Sequence, residues 1–455
     1  MCVIIKNKKI KIKRKAHTMK YYLAIDIGAS SGRHIVGYMD NGELVTEETY
    51  RFPNGMDTVD GHLVWDTERL FREVKCGIAK SLEKYPDLVS LSIDTWGVDY
   101  VLMRGDREVT PTYAYRDSRT ETPIEEVHGI IPFAELYRRT GIQFNKFNTV
   151  YQLYADKLAG RFDGVTDFLM IPEYLMYKLT GVKKKEFTDA TTTGMVSAET
   201  RELDPWIFET LGLPKELITP LSAPGTLVGR FTDEVAREVG GNMNVVLCAT
   251  HDTGSAVEAI DMETNAPYIS SGTWSLLGVK TPAPITDEGS MRSDYSNEGG
   301  VGYNRYQKNI TGMWIIQSLR AELCPDTSYG DIADMARASD YTELFNVNDD
   351  RFMAPESMCA AIRSYLDERG KPLPETPADY FNSAYHSLGA CYKDAIDDLE
   401  RNTGRLYSEI YIVGGGAKNK YLNEISECYT GKRVVALPIE ATAIGNLKIQ
   451  MKADA

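Results

Sequence analysis

The chain reads as an α/β protein whose two related halves face each other across a central cleft. Three observations lead there: a length of 455 residues, an alternation of short apolar runs with helical periodicity, and a strand, small-residue turn and second strand that open each half. One hydrophobic core seldom grows past about 250 to 300 residues, so this length divides into two domains with a site between them.

The first half opens on the apolar β-rich run 21–27, closed by Gly28. The small polar stretch Ala29-Ser30-Ser31-Gly32 leads into a second run, 33–39. Asn41-Gly42 is a hairpin signal before the third run, 43–51. The three form a meander, unlike the strand-then-helix unit of a dinucleotide site. Apolar spacing predicts helices over 70–85, 132–139, 149–158, 172–179 and 233–239, and a buried strand over 88–93 whose end releases Asp94-Thr95-Trp96-Gly97-Val98-Asp99. A further strand, 244–249, delivers Thr250-His251-Asp252-Thr253-Gly254 onto a helical run, 255–260. The second half repeats the opening theme over 268–279, with its turn at 270–273. A helix over 380–399, a strand over 409–413 and the turn Gly414-Gly415-Gly416 follow. The boundary between halves falls near 261–265, giving an N-terminal domain over 19–262 and a C-terminal domain over 263–455.

Composition narrows the function. With 43% hydrophobic and 25% charged residues the chain is globular rather than disordered, collagenous or coiled-coil. A net charge of −14 and a pI near 5.1 disfavour a polyphosphate backbone as partner, so nucleic acid is not expected. The seven cysteines are scattered and form no C-x-x-C pair, which indicates neither a disulfide framework nor a zinc site and fits a reducing cytoplasm. No run approaches the roughly 18 to 20 apolar residues of a membrane span, so no membrane partner is expected. Residues 1–18 carry Lys6, Lys8, Lys9, Lys11, Lys13, Arg14 and Lys15 and no acid. They read as a disordered extension, with Met19 the working start, rather than as a basic arm for nucleic acid or membrane.

Phosphate groups need backbone N–H donors that no side chain screens, which makes small-residue turns between strands suggestive. In the first turn, Asp26 precedes Gly28-Ala29-Ser30-Ser31-Gly32-Arg33: a carboxylate for a metal-bound water, a cradle of amides and hydroxyls, and a cation. In the second, Ser270-Ser271-Gly272-Thr273 offers three hydroxyls around a glycine. Each alone is equally a tight hairpin; one in each half points to a shared phosphate chain. The 414–416 glycines would let an adenine or ribose lie against the backbone, or they simply meet a turn that needs positive φ.

Transfer of a phosphoryl group to a sugar hydroxyl needs a base beside that hydroxyl. Asp252 is the candidate, because it begins a helix after a strand, where the helix N-terminus keeps a carboxylate ionised. The competing reading makes it the helix N-cap. His251 beside it is a candidate sugar contact or a core histidine. Asp94, Trp96 and Asp99 make the 94–99 loop a sugar-site candidate, with carboxylates for hydroxyls and an aromatic for a ring face, or equally a surface loop around a buried Trp. Tyr115-Arg116-Asp117-Ser118-Arg119 is a similar candidate, with a structural ion-pair cluster the preferred reading.

These stretches resemble the FGGY carbohydrate kinases. The resemblance rests on AIDIGASSGR (24–33), IDTWGVDY (93–100), AYRDSR (114–119), GIQFNKFNTVYQL (141–153), TDATTTG (188–194), THDTGSAV (250–257), SSGTWSLL (270–277), NEGG (297–300), NITGMWIIQ (309–317), VGGGAKN (413–419) and EATAIGN (440–446), in that order along nearly the whole body. It implies two related actin-like, ribonuclease-H-like ATPase domains, with Mg-ATP (Mg2+ bound) phosphorylating a ketose. L-rhamnulose at its 1-hydroxyl is the expected substrate, xylulose or fuculose the alternatives, and a non-kinase ATPase of the same fold the outlying one. By position, Asp252 is the implied proton acceptor and Gly97, His251 and Thr253 the sugar contacts, joined by Trp96 from the residue reading. The implied nucleotide contacts are Ala29, Ser30, Ser31, Gly32, Arg33, Thr273, Asn309, Gln317 and Gly415, with Asp26 toward the metal. Similar kinases continue past the point where this chain ends at Ala455, so a shortened C-terminal domain is expected.

Overall fold

The computed structural model describes residues 19–262, 266–437 and 440–455. The basic segment 1–18 and residues 263–265 of the expected boundary lie outside the described residues.

Each half is built on a mixed six-stranded sheet. In the first, β1 (Tyr21–Ile27), β2 (Ser31–Asp40) and β3 (Glu43–Pro53) form the antiparallel meander, and β4 (Leu88–Thr95) lies parallel to β1. β5 (Leu227–Arg230) and β6 (Asn244–Val246) complete the order β5-β6-β4-β1-β2-β3. In the second, β7 (Tyr268–Ser271), β8 (Trp274–Thr281), β9 (Ser296–Gly299), β10 (Asn304–Thr311), β11 (Glu409–Val413) and β12 (Arg433–Leu437) run in the order β9-β10-β8-β7-β11-β12. β7 pairs antiparallel with β8 and parallel with β11, as β1 pairs with β2 and β4. The duplication expected from the two opening units is therefore present in the order of five strands of each sheet, while the sixth, β5 or β9, lies at opposite edges.

The central strand β1 is buried on both faces. Leu23, Ile25 and Ile27 join the core under α1 (Thr67–Lys84), whose buried Leu70, Phe71, Val74, Ile78 and Leu82 follow helical spacing. Asp66 caps that helix by accepting from the Arg69 amide at 2.7 Å. Tyr22 and Ala24 on the other face meet Ala443 and Leu447 of the last helix. A helical subdomain between β4 and β5 has its own core around Tyr151, Phe168, Ile207 and Phe208. The second half's core gathers around α3 (Pro377–Thr403).

Two helices tie the halves together: α2 (Asp252–Glu258) ends the first half, and α4 (Ala441–Ala453) ends the second. On α4, Gln450 donates to Leu23 O (3.0 Å) and accepts from Ser90 Oγ (2.6 Å), while Asn446 donates to Asp94 (2.5 Å). Gly445 lies so close to α2 that a β-carbon there would sit 1.7 Å from Ser255 O.

Most predicted helices stand within a few residues of expectation; those over 149–158 and 233–239 coincide with Thr149–Leu158 and Asp233–Val239. Three boundaries differ. The strand expected over 244–249 stops at Val246; beyond it the chain stays beside β4 but pairs with it only through an isolated bridge from Thr95 to His251. The helix expected from 255 starts at Asp252. The turns are tighter, since β2 already begins at Ser31 and β8 at Trp274.

Candidate active site

A cavity of about 660 Å³ opens between the halves, within the range of small-molecule sites. Of the residues singled out in the sequence, Ala29, Ser30, Trp96, Gly97, His251, Asp252, Thr253, Thr273, Asn309 and Gln317 line it. Ser31, Gly32 and Arg33 are not among the lining residues: they lie in β2 behind the turn, where a β-carbon on Gly32 would strike the Phe52 ring.

The local fold explains how Asp252 arrives there. After β6 the chain runs beside the end of β4, with the Thr95 amide donating to Thr250 O (2.9 Å). Thr250 donates through its amide (3.1 Å) and hydroxyl (2.8 Å) to Glu186 Oε2, a buried carboxylate that also accepts from Thr188. Burial raises the Glu186 carboxyl even against these donors. His251, with extended backbone, occupies the N-cap position, so Asp252 is the first residue of α2. Its carboxylate makes no capping bond and accepts instead from Thr253 Oγ1 at 3.1 Å. The capping alternative thus fails on geometry. Asp252 is left half-exposed in the cavity at a helix N-terminus.

Two turns reach the same cavity, one from each half. Gly28, Ala29 and Ser30 come from the β1–β2 turn, Gly272 and Thr273 from the β7–β8 turn. The Gly28 amide is used by Ser31 O (2.9 Å) and the Gly272 amide by Trp274 O (2.8 Å). Among the described residues no acceptor is recorded for the amides of Ala29, Ser30 and Thr273. Those free donors suit the oxygens of a phosphate chain. The Gly414-Gly415-Gly416 turn packs on the second of these hairpins. Gly414 has φ +84, and a β-carbon on it or on Gly416 would collide with Ser271 at 2.8 and 1.9 Å. Close backbone approach therefore accounts for the outer two glycines. Gly415 has open space around it, though it is not among the residues lining the cavity.

The acidic groups sort by environment. Arg33 grips Asp26 through Nε and Nη2 (3.0 and 2.8 Å) and also pairs with Glu440. Burial nonetheless raises Asp26, and the neighbouring Asp252 charge adds to the rise. Asp94 is fully buried and raised further, by burial and then by Asp26. Both contacts of Arg33 land on Asp26 Oδ2, and Asp94 Oδ1 has no hydrogen-bond partner. Carboxylates that raise one another fit a divalent cation nearby. Among the described residues no three His, Cys, Asp or Glu form a ligand cage. The carboxylates present would suit a divalent cation held through water rather than by direct protein ligands.

The 94–99 loop departs from expectation. Asp99 is buried beneath the cavity, where it accepts from Trp65 (2.6 Å), Trp96 (2.9 Å) and Gln152 (3.2 Å) side chains and from the Tyr115 amide (3.1 Å). Burial lifts its carboxyl to about 6 against those donors. Asp94 and Asp99 are thus not sugar carboxylates of the surface; Asp99 holds Trp96 and Tyr115 in place instead. Gly97 is required, since a β-carbon would meet Thr192 at 2.9 Å. The 115–119 cluster divides: Tyr115 and Arg116 line the cavity, while Asp117 pairs with His62 and Arg119 with Asp156.

Sequence reasoning missed Asn145, Phe147, Asn148, Thr192, Ser296, Glu298, Trp274 and Trp314, all on the cavity wall. Several fall inside motifs quoted above, but nothing in their spacing singled them out.

The duplicated sheets, the cleft and the paired turns define a two-domain sugar-kinase architecture. Family models for the N-terminal and C-terminal domains of the FGGY family of carbohydrate kinases match residues 21–257 and 267–453. The chain belongs to the FGGY family of carbohydrate kinases. A rhamnulokinase of Oceanobacillus iheyensis is 42% identical over 95% of this chain and 93% of its own length, and one of Bacillus subtilis is 38% identical over 94% and 90%. Among solved structures, a gluconate kinase from Lactobacillus acidophilus superposes with a TM-score of 0.80 at 16% identity, covering 96% of this chain and 89% of its own. Plasmodium falciparum glycerol kinase with ADP gives 0.74 at 13%, covering 96% and 90%. Among the described residues no helix is long and apolar enough to cross a membrane.

Proposed function

We propose that this kinase transfers the γ-phosphoryl group of ATP to the 1-hydroxyl of L-rhamnulose. The observation that carries the reading is the place of Asp252, in one cavity with Trp96, Gly97 and His251 and with Ala29, Ser30 and Thr273 of the two turns. The substrate assignment follows the rhamnulokinase relatives.

Asp252 accepts the proton of the 1-hydroxyl as its oxygen attacks the γ-phosphorus, and the bond to the β-phosphate oxygen breaks in line. Ala29, Ser30 and Thr273 hold the phosphate chain through their free amides, and Asn309, Gln317 and Gly415 serve the rest of the nucleotide. Asp26 would hold a Mg2+ ion through water, and the ion would supply neutralisation of the phosphate charge. Trp96 offers an apolar face to the sugar, and Gly97, His251 and Thr253 complete the polar contacts. We also assign residues 19–262 to a sugar-binding domain and 263–455 to a nucleotide-binding domain.

ADP release followed across a ketose panel tests this reading. Turnover of L-rhamnulose should exceed that of xylulose and fuculose clearly, because a hydrogen-bonding site rejects analogues that leave its groups unpaired. Faster turnover of another ketose would reassign the substrate, and ATP hydrolysis indifferent to every sugar would overturn the kinase reading.

A further inference from the structure

The second half reaches across the cleft to the histidine beside Asp252. Arg305, on β10, is among the largest fully buried side chains of the described residues. Its Nε donates to Gly299 O (2.7 Å), and its Nη2 lies 3.0 Å from Glu298 Oε2 and 3.1 Å from His251 Nδ1. A guanidinium nitrogen has only protons to offer, so the hydrogen bond to Nδ1 requires a lone pair there. The ring proton then sits on Nε2, which lies 3.5 Å from Asp252 Oδ1, and His251 is a residue that lines the cavity.

Three charged groups face this ring: Asp252, Glu298 and Arg305. Glu298 also stands 3.0 Å from Nδ1, but no N–H is aligned on its Oε2. Burial opposes ionisation of Glu298, while the buried Arg305 guanidinium beside it favours the anion and lowers the carboxyl. Glu298 therefore remains an anion and anchors the guanidinium.

We propose that Arg305, anchored by Glu298 and Gly299, is a positioning residue that fixes His251 as a neutral Nε2–H donor to the oxygen on carbon 2 of the ketose. That oxygen adjoins the carbon 1 hydroxyl whose proton Asp252 accepts. It is an acceptor whether the sugar is open or cyclic, and it is the atom that distinguishes a ketose at this end. One half would thus supply the base and the other would set the proton of its neighbour, so the sugar site is complete only with both halves together. The inference deepens the ketose-kinase reading and rests on it for the identity of the ligand.

Two experiments test it. Nitrogen-15 NMR of the histidine side chains, at about pH 8 and above the ordinary imidazole range, reads the tautomer without substrate. His251 is assigned by the signal lost in His251→Gln. A neutral ring protonated on Nε2 is expected; a proton on Nδ1, or an imidazolium, would overturn the proposal whatever the substrate proves to be. The second experiment is a kinetic cycle. Arg305→Lys keeps the charge but cannot serve Gly299 O, Glu298 and Nδ1 at once. It should raise the ketose KM roughly tenfold to a hundredfold while ATP affinity stays within about twofold. In a His251→Gln background, whose amide donates near the Nε2 position without help, the same change should cost less than about threefold. Equal losses in both backgrounds would show that Arg305 acts independently of His251. If Arg305→Lys does not fold, the wild-type tautomer decides. If the wild type turns over no ketose, the functional reading fails while the tautomer result still stands.

Discussion

Gly445→Ala is expected to disturb catalysis from outside the cavity. Its β-carbon would sit 1.7 Å from Ser255 O, 2.7 Å from Ser255 C and 3.1 Å from the Ala259 amide nitrogen, all backbone atoms of α2 or its end. No rotamer change relieves such a contact, so α4 and α2 must separate by about 1.5 Å or more to restore van der Waals distance. Overpacking of this kind costs about 1 to 3 kcal/mol. The larger effect is expected on rate, because α2 carries Asp252 on its first turn. A misplacement of about 1 Å commonly costs on the order of a hundredfold. The expected outcome is a lowered melting temperature and a kcat/KM reduced about a hundredfold by the same ADP-release assay. Gly129→Ala is the control: its β-carbon meets nothing within 4 Å, and it lies in the helix Glu121–Ile130. That change should be neutral or stabilising by up to about 1 kcal/mol. A Gly445→Ala enzyme with both melting temperature and kcat/KM unchanged would refute the claim that helix contact positions the base.

Three further outcomes follow from the same geometry. Trp96→Phe removes the indole N–H that Asp99 accepts at 2.9 Å and should raise the ketose KM severalfold with ATP affinity unchanged, as steady-state titration of each substrate would show. Glu186→Gln leaves Thr250 without its doubly accepting carboxylate oxygen; it should lower kcat more than ATP affinity, compared by single-turnover kinetics and calorimetric binding. His34 is buried against Val74 O, and burial depresses its imidazole to about 4. The unfolded chain binds that proton below about pH 6.5 and the native state does not, so stability is full above 6.5 and falls on acidification toward 4. The loss approaches about 3 kcal/mol, at 1.36 kcal/mol per pH unit. Denaturant titrations across that window should show it in the wild type and a flatter profile in His34→Gln.

Much of this was legible in the chain because the informative signals are local. Two apolar runs split by small residues specify the β1–β2 and β7–β8 hairpins, and an acid after an apolar strand specifies Asp252. What stayed hidden depends on contacts between residues far apart. Nothing around Asp99 reveals that Trp65, Gln152 and the Tyr115 amide converge on it, so its burial beneath the cavity could not be anticipated. The link from Arg305 to His251 spans 54 positions and crosses between the halves. The glycines at 414–416 read as a nucleotide platform or a turn; only the packing on Ser271 separates the outer two from Gly415. Turn boundaries shifted for a related reason: the ladder to β3 extends β2 back to Ser31, drawing Ser31 and Gly32 into the sheet.

The central claim is that Asp252 takes the hydroxyl proton. Asp252→Asn keeps the shape and the bond from Thr253 while removing the base, and helix capping does not depend on it. Measured together by ADP release with L-rhamnulose and by equilibrium ATP binding, this variant should lose about a hundredfold or more in kcat and bind ATP as the wild type does. Phosphoryl transfer close to the wild-type rate would contradict the account.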